Sequence, residues 1–279
     1  MLTQLNYALH LVDETIEELR LEPIDLLSIG DVDGEYTYLS NAKLSYKRTI
    51  RDVLTCFEKQ PYVTKTIKIL EIGSFLGVVS IVLAKLGFSV SSLDIQEYMK
   101  NLKLKERYCF YGVETLAANL KEYCIPEVSG KFDFVIMCET LEHLNFNPLP
   151  VLSEINRVLT PHGYLYLSLP NQASLVNRVK LLFGRSIHNP VKDFAEQLDK
   201  TTNMLVGIHW REYTGDEMQE LVEMSGFSIA SHQFYTTHKA SVPARAAYVL
   251  FPKLRSNQTI IARKNEKIIP IFHFSESTR

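Results

Sequence analysis

The sequence has few cysteines, and its histidines are scattered. Its four cysteines, Cys56, Cys109, Cys124 and Cys138, form no Cys-x-x-Cys pair. We interpret them as reduced, structural thiols of a cytoplasmic protein, because structural zinc sites and redox pairs require closely spaced cysteines. The eight histidines are dispersed along the chain. No His, Cys, Asp or Glu residues stand at spacings typical of a metal-ligand set, so the sequence predicts no metal.

The net charge is small, and long apolar runs are absent from the sequence. The formal net charge is −2 over 279 residues, which argues against broad electrostatic binding of nucleic acid. No stretch reaches the roughly 18–20 apolar residues that a membrane span needs. The N-terminus is acidic and has no long apolar run, so we do not expect it to be a secretory signal. With 46% apolar residues, the chain can bury one substantial core.

A glycine-containing turn between a strand and a helix is the most informative segment. The apolar strand Ile67 to Ile72 leads into Gly73 and Gly77, and an apolar helix follows. A second strand, residues 88–93, ends in Asp94. Glycine lets a ligand approach the backbone, the helix start offers free N–H donors, and the acid can bind ribose hydroxyls. This unit predicts an adenosine-bearing ligand.

The glycine spacing separates the possible ligands. A dinucleotide turn needs Gly-x-Gly-x-x-Gly, but Phe75 and Val78 occupy the second and third glycine positions. An NAD-dependent oxidoreductase is therefore the least favoured interpretation. What remains, Glu-x-Gly-x-x-x-Gly, resembles motif I of the class I S-adenosylmethionine-dependent methyltransferases, although that family often has glycine where this chain has Phe75.

The resemblance implies S-adenosylmethionine as cofactor and S-adenosylhomocysteine as product. By position, Glu71 and Gly73 would flank the methionine part, and Asp94 would hold the two ribose hydroxyls. The remaining cofactor contacts that it implies are Ser74, Gly77, Ile95 and Glu139.

Two further segments resemble the same family in order and spacing. Residues 131–144 look like its fourth strand and following loop, and residues 151–168 look like its next helix, turn and fifth strand. The expected fold class is therefore α/β, a doubly wound, Rossmann-like, seven-stranded and mostly parallel sheet with helices on both faces. An N-terminal helical extension and an insertion after the fifth strand are additions to that fold.

The chain is expected to divide into three parts. Residues 1–47 form an N-terminal extension, with an amphipathic helix over 3–20 that packs on the core or acts as a lid. Asp33-Gly34 suggests a hairpin within 29–47, where Tyr38 could line an acceptor pocket or cover a core edge. The methyltransferase domain is expected over 48–264, with 171–213 as an acceptor cap and 265–279 as a tail.

Two histidines are candidates for the base that methyl transfer to a hydroxyl requires. His143 follows the fourth strand, and one helical turn from Glu139 to His143 would place both side chains on one face. Glu139 could orient the imidazole or contact the acceptor. His209 is the alternative, because it alternates with Arg211 and Tyr213 in a segment whose side chains would point one way. Purely structural roles for all of these residues remain open.

The class of methyl acceptor is inferred from residues of the insertion and from a weaker resemblance of the insertion to known methyltransferases. Arg211 could hold a phosphate or carboxylate, Tyr213 and Arg178 could add contacts, and the insertion is rich in basic residues. The insertion resembles methyltransferases of bacterial surface-glycan and secondary-metabolite pathways, which implies a hydroxyl of a sugar or a small molecule. Glu-x-x-Glu-His resembles quinone O-methyltransferases, which keeps a phenol open. A tRNA-base methyltransferase and a catalytically silent scaffold subunit are the alternatives.

Overall fold

Seven strands form one mostly parallel sheet. The computed structural model describes residues 2–25, 35–57, 67–196, 208–267 and 270. The strands are β1 Lys68–Ile72, β2 Ser89–Asp94, β3 Glu114–Ala117, β4 Phe132–Cys138, β5 Leu159–Pro170, β6 Phe227–Tyr235 and β7 Asn257–Lys264. Their order is β3-β2-β1-β4-β5-β7-β6. Only β7 runs against its neighbours, pairing antiparallel with both β5 and β6. The predicted Rossmann-like fold class is confirmed.

The chain divides into two compact units. The first unit ends at Ala118, and the second begins at Asn119. Helices of the first unit are α1 Leu2–Leu21, α2 Glu35–Phe57, α3 Val78–Lys85, α4 Gln96–Met99 and α5 Leu102–Phe110. Helices of the second unit are α6 Leu149–Val158, α7 Leu175–Leu182, α8 Asp193–Glu196, α9 Gly215–Met224 and α10 Val242–Leu250. None of these described helices combines the length and the apolar character needed to cross a bilayer.

The N-terminal helix α1 is fixed to its own unit by one acid. The Glu18 carboxylate accepts hydrogen bonds from Lys85 Nζ at 2.7 Å, Arg107 Nη2 at 3.0 Å and the Tyr111 hydroxyl at 2.8 Å. On the same helix, the apolar side chains of Leu11, Val12 and Leu19 are buried. The helix predicted over 3–20 is confirmed. These contacts bind it to α3 and α5, whereas its role as a lid stays a prediction.

The hairpin predicted within residues 29–47 is wrong. Residues from Glu35 onward form the continuous helix α2, while Asp33 and Gly34 lie outside the described residues. The buried side chains Leu39, Ile50 and Val53 follow helical spacing rather than strand alternation. The boundary predicted between residues 47 and 48 falls inside this helix.

The segment after β5 begins with well-defined helix signals. Ser174 Oγ accepts from Asn177 N at 3.3 Å and caps α7, and Gly184, at φ 65°, follows the helix. Farther along, Thr214 and Glu217 form the predicted capping box at the start of α9. The middle of the predicted acceptor cap, residues 197–207, and the tail from Phe274 to Arg279 lie outside the described residues.

Candidate active site

The turn after β1 adopts left-handed backbone conformations at three positions. Gly73 has φ 72°, Phe75 has φ 48° and Gly77 has φ 75°. Phe75 therefore takes the conformation for which glycine is favoured, despite its side chain. The departure from the family pattern leaves a glycine-like backbone in place.

Tyr108 of α5 explains why Gly77 is glycine. A Cβ at Gly77 would lie 2.4 Å from Cε1 of the buried Tyr108 ring. The Tyr108 hydroxyl donates to Ser74 Oγ at 3.0 Å and approaches the Phe75 carbonyl oxygen at 3.3 Å. Tyr108 thus packs against Gly77 and holds the turn through its hydroxyl. The sequence gives no motif that would have identified this role.

Asp94 joins the end of β2 to the glycine turn. Its Oδ2 accepts from Phe75 N at 2.7 Å, and its Oδ1 accepts from Ile95 N at 2.8 Å. Each carboxylate oxygen has a further lone pair, so two more hydroxyl donors can be accepted. Burial raises the pKa of Asp94 to about 6, against the two backbone hydrogen bonds that lower it. The acid is held in position and suits the two hydroxyls of a ribose.

Glu71 is more deeply buried and faces the start of α3. Its Oε2 accepts from Ser80 N at 2.9 Å and from the Ser80 hydroxyl. Burial raises the pKa of Glu71 to about 8. The structure therefore shows Glu71 tying β1 to the first turn of α3, beside Gly73.

Tyr38 reaches the same turn through Phe75. The Tyr38 and Phe75 rings meet edge to face at 5.6 Å between centroids, and Tyr98 packs on Phe75 in the same manner at 5.4 Å. Tyr38 is 47% exposed. The predicted acceptor contact is thus brought to the glycine turn of the first unit.

In the second unit, a short turn after β4 gathers the candidate catalytic residues. Glu139 has φ 47°, an unusual conformation for a residue with a side chain. Leu141–His143 then form a single 3₁₀ turn. The helical turn from Glu139 to His143, which was the condition for the two side chains to share a face, does not form, because Glu139 is left-handed and the 3₁₀ turn begins only at Leu141.

The two candidate histidines lie against each other. Their rings meet edge to face with centroids 4.9 Å apart. His143 Nδ1 lies 3.0 Å from the Ile208 carbonyl oxygen, so this nitrogen carries the proton and donates. His209 Nδ1 lies 3.1 Å from Glu212 Oε1, and Asn177 Nδ2 donates to the other oxygen of Glu212 at 3.1 Å. Both imidazoles are therefore held by their Nδ1 atoms.

Glu142 completes the group, and the sequence analysis did not assign it. Its side chain is fully buried, and within the described part of the chain both carboxylate oxygens lack a hydrogen-bond partner, as does Oε1 of Glu139. Ligand atoms of Glu142, His143 and His209 all lie within 4.8 Å of one another. Glu-x-x-Glu-His was a sufficient signal for Glu142, but nothing in the spacing showed that His209, sixty-six residues farther along the chain, joins it.

Burial sets the charges in this group. Burial raises the pKa of Glu139 to about 7, against the lowering effect of His209. Burial, together with the charge of Glu139, raises the pKa of Glu142 well above its usual range. Burial, together with His209, lowers the pKa of His143 to about 4. A proton is thus held more readily by Glu139 than by His143.

A groove of about 770 Å³ in the second unit is lined by residues that directly follow this group in the chain, but Glu139, Glu142, His143 and His209 are not among its lining residues. Trp210 lines it and donates its backbone N–H to the Glu142 carbonyl oxygen at 2.8 Å. Arg211 and Tyr213 also line it, with the guanidinium carbon 5.1 Å from the Tyr213 ring centroid. The volume is in the range of small-molecule sites.

The three alternating residues do not share one environment. Tyr213 is buried, Arg211 pairs with Glu217 at 2.8 Å, and His209 turns instead toward Glu212. Arg178 is exposed, and its Nε donates to the Ala173 carbonyl oxygen at 2.8 Å. The structure therefore places Arg211 and Tyr213 together in the groove, while Arg178 is not among its lining residues.

These features agree with a comparison of the sequence with family models. A model described as a methyltransferase domain matches residues 38–232. The chain belongs to this methyltransferase family. The resemblance to class I S-adenosylmethionine-dependent methyltransferases is confirmed, and S-adenosylmethionine is the cofactor of that class. A search of curated proteins finds no match.

Solved structures share the fold at low sequence identity. A methyltransferase of Methanosarcina mazei is 21% identical with a TM-score of 0.52, over 73% of this chain and 95% of that one. Another from Archaeoglobus fulgidus is 19% identical with a TM-score of 0.53, over 82% of this chain and 100% of that one. The [4+2]-cyclase SpnF is 14% identical with a TM-score of 0.51, over 78% of this chain and 83% of that one. Since one of these similar structures is named a cyclase, the fold by itself does not define the reaction.

Proposed function

We propose that the protein transfers the methyl group of S-adenosylmethionine to a hydroxyl oxygen of a small-molecule or glycan acceptor. The observation that carries this proposal is the set of buried, unpaired acceptor atoms at Glu139 and Glu142 beside two oriented histidines. A hydroxyl must lose its proton when it is methylated, and such a set can take that proton.

The first unit supplies the residues that hold the cofactor. Asp94 would accept the ribose hydroxyls, with Phe75 N and Ile95 N keeping its carboxylate oriented. Gly73, Ser74 and Gly77 would form the surface against which the ligand lies, with Glu71 behind them. When bound, S-adenosylmethionine supplies a methyl group on a sulfonium that is already a good leaving group.

The second unit supplies the groups for the acceptor. Glu139 would take the hydroxyl proton, since its Oε1 is unpaired and burial raises its pKa to about 7. His143 and His209 would orient the acceptor oxygen. Arg211 would exchange its exposed pair with Glu217 for an anionic group of the acceptor, because a guanidinium binds phosphate or carboxylate with two parallel hydrogen bonds.

The alternatives receive less support. The scaffold hypothesis depended on Phe75 closing the turn, yet Phe75 keeps a left-handed, glycine-like backbone. A tRNA-base methyltransferase would favour a basic chain, whereas the net charge is −2. A phenol remains within the proposal, because it too presents a hydroxyl oxygen.

A transfer assay with methyl-labelled S-adenosylmethionine tests the acceptor class. The panel pairs each phenol, nucleotide-linked sugar and lipid-linked glycan with its analogue in which the hydroxyls are blocked, and includes bulk tRNA. We expect label in at least one free-hydroxyl member and none in its blocked partner. Label in tRNA alone, or in both members of a pair, would contradict the proposal.

A further inference from the structure

We propose that Glu142, His143 and His209 of the second unit bind a divalent metal ion. The sequence alone indicates no metal, because its eight histidines are dispersed along the chain. The fold removes that objection by bringing ligand atoms of these three residues within 4.8 Å of one another. Two imidazoles and one carboxylate on a shared cation form a recognised ligand set for first-row metals.

The unpaired carboxylate is the second, independent observation. Glu142 is 0% exposed, and neither of its side-chain oxygens has a hydrogen-bond partner among the other described residues; only its own backbone N–H acts on the carboxylate. Buried polar atoms in folded proteins are nearly always paired, so an orphaned carboxylate needs an explanation. A cation bound at this carboxylate supplies the missing partner. Oε1 of Glu139, three residues before Glu142, also lacks a partner among the described residues.

The histidines are oriented as metal ligands usually are. A ligating imidazole generally donates its other ring N–H to a carbonyl or carboxylate, which fixes the tautomer and the ring plane. His143 Nδ1 donates to the Ile208 carbonyl oxygen, and His209 Nδ1 faces the Glu212 carboxylate. Asn177 in turn holds Glu212 by a hydrogen bond of 3.1 Å. This arrangement leaves the Nε2 lone pair of each ring available.

The ligand chemistry indicates the kind of ion. Imidazole nitrogen with carboxylate oxygen suits Mn²⁺, Fe²⁺ or Zn²⁺, while Mg²⁺ prefers oxygen ligands throughout. Three protein ligands leave coordination positions open for an exogenous oxygen.

The role of the ion rests on the proposed function. A hydroxyl of the acceptor, bound to the ion, would lose its proton to Glu139 as its O–H bond breaks. The oxygen would form a bond to the methyl carbon, and the electron pair of the broken carbon–sulfur bond would stay on sulfur. The ion lowers the pKa of the bound hydroxyl and is itself unchanged.

The test measures metal binding without cofactor or acceptor. Chelator-treated full-length protein is titrated with Mn²⁺ and followed by electron paramagnetic resonance, and with Zn²⁺ by calorimetry. The variants are Glu142→Gln, which keeps the side-chain volume, and His209→Asn. His162→Asn is the matched control, because His162 is exposed and its φ of 64° is one that asparagine tolerates.

We expect one ion per chain, with affinity reduced at least ~10-fold in Glu142→Gln and His209→Asn and unchanged in the control. Glu212→Gln should weaken binding by about 10- to 100-fold through loss of the carboxylate that orients His209. Circular dichroism establishes that each variant is folded. Absence of binding by the folded wild type, or equal affinity in all four variants, would overturn the proposal. S-adenosylhomocysteine binding, measured separately on metal-free protein, reports on the proposed function instead.

Discussion

The acidic side chains of the two units differ in their hydrogen bonding. In the first unit, both oxygens of Asp94 accept backbone N–H groups, and Glu71 accepts from Ser80. In the second unit, both oxygens of Glu142 and one of Glu139 find no hydrogen-bond partner among the residues that the structure describes. The first pair is held by the fold itself, whereas the second pair is buried without the partners that would compensate for lost hydration.

This difference in hydrogen bonding distinguishes a site whose acids are already held by the backbone from one whose acids lack partners. Backbone amides hold the Asp94 carboxylate in place, so little ordering would remain if ribose hydroxyls bind there as proposed. Unpaired carboxylates beside two oriented histidines are stable only because the surrounding structure enforces their positions, and such strain concentrates at functional sites. Under the two proposals, the first unit is preformed for its cofactor, and the second unit binds a cation that compensates its buried acids.

The largest expected effect lies in the second unit. Glu139→Gln should lower turnover by about 100-fold or more, because the amide cannot take the hydroxyl proton. Affinity for S-adenosylhomocysteine should stay unchanged if Glu139 serves the acceptor. The measurement combines initial rates with calorimetry on the same preparation.

Glu223→Gln is the matched control for this change, since Glu223 is an exposed glutamate of α9 in the same unit. Loss of S-adenosylhomocysteine affinity in Glu139→Gln would return Glu139 to the cofactor contacts that the sequence resemblance implied. Normal turnover would remove it from the chemistry.

A smaller effect is expected on the rigidity of the first unit. Gly77→Ala should lower the free energy of unfolding by about 2–4 kcal/mol, because the new Cβ meets the Tyr108 ring and the backbone is left-handed. Gly112→Ala is the control: its φ is 69°, but its Cβ would meet nothing within 4 Å.

The control should lose only the backbone contribution, about 1–2 kcal/mol. Urea unfolding of both variants gives the difference. Equal losses of unfolding free energy would mean that Tyr108 does not stabilise the turn, and the turn could then not be called preformed.

The smallest effect concerns pH. Because burial raises the pKa of Asp94 to about 6, its carboxylate is ionised above that pH and protonated below it. The ionised form accepts ribose hydroxyls, so affinity for S-adenosylhomocysteine should be constant above the pKa and fall by up to ~10-fold one pH unit below it. Calorimetry from pH 5 to 7.5 checks this, and Asp94→Asn should bind weakly with no such trend. A flat profile in the wild type would show that another group holds the ribose.

Much of the first unit was predictable because its signals are local. Apolar strands, two glycines and an acid at fixed spacing define β1, the turn and β2 without reference to distant residues. The hairpin expected before the domain failed because Asp-Gly was weighted above the helical spacing of the buried side chains of α2. Tyr108 was missed because it contacts the turn from thirty-one residues beyond Gly77.

The second unit was less predictable because its site is assembled from distant segments. His143 and His209 were each identified, but as alternatives for one role, whereas the fold places their rings in contact. The left-handed conformation of Glu139 has no sequence signature at a glutamate, so the sequence could not show that the helical turn considered there does not form. Such contacts depend on tertiary packing that spacing does not encode.

The most direct test of the account is the affinity for S-adenosylhomocysteine in wild type, Asp94→Ala and Asp25→Ala, measured by calorimetry. Asp25 is an exposed aspartate of the same unit and serves as the control. The account predicts binding by the wild type and the control, with a loss of about 1.5–3 kcal/mol in Asp94→Ala from the missing charge-assisted hydrogen bonds. Equal affinity in Asp94→Ala, or no binding by folded wild type, would contradict the assignment of the first unit as the cofactor site.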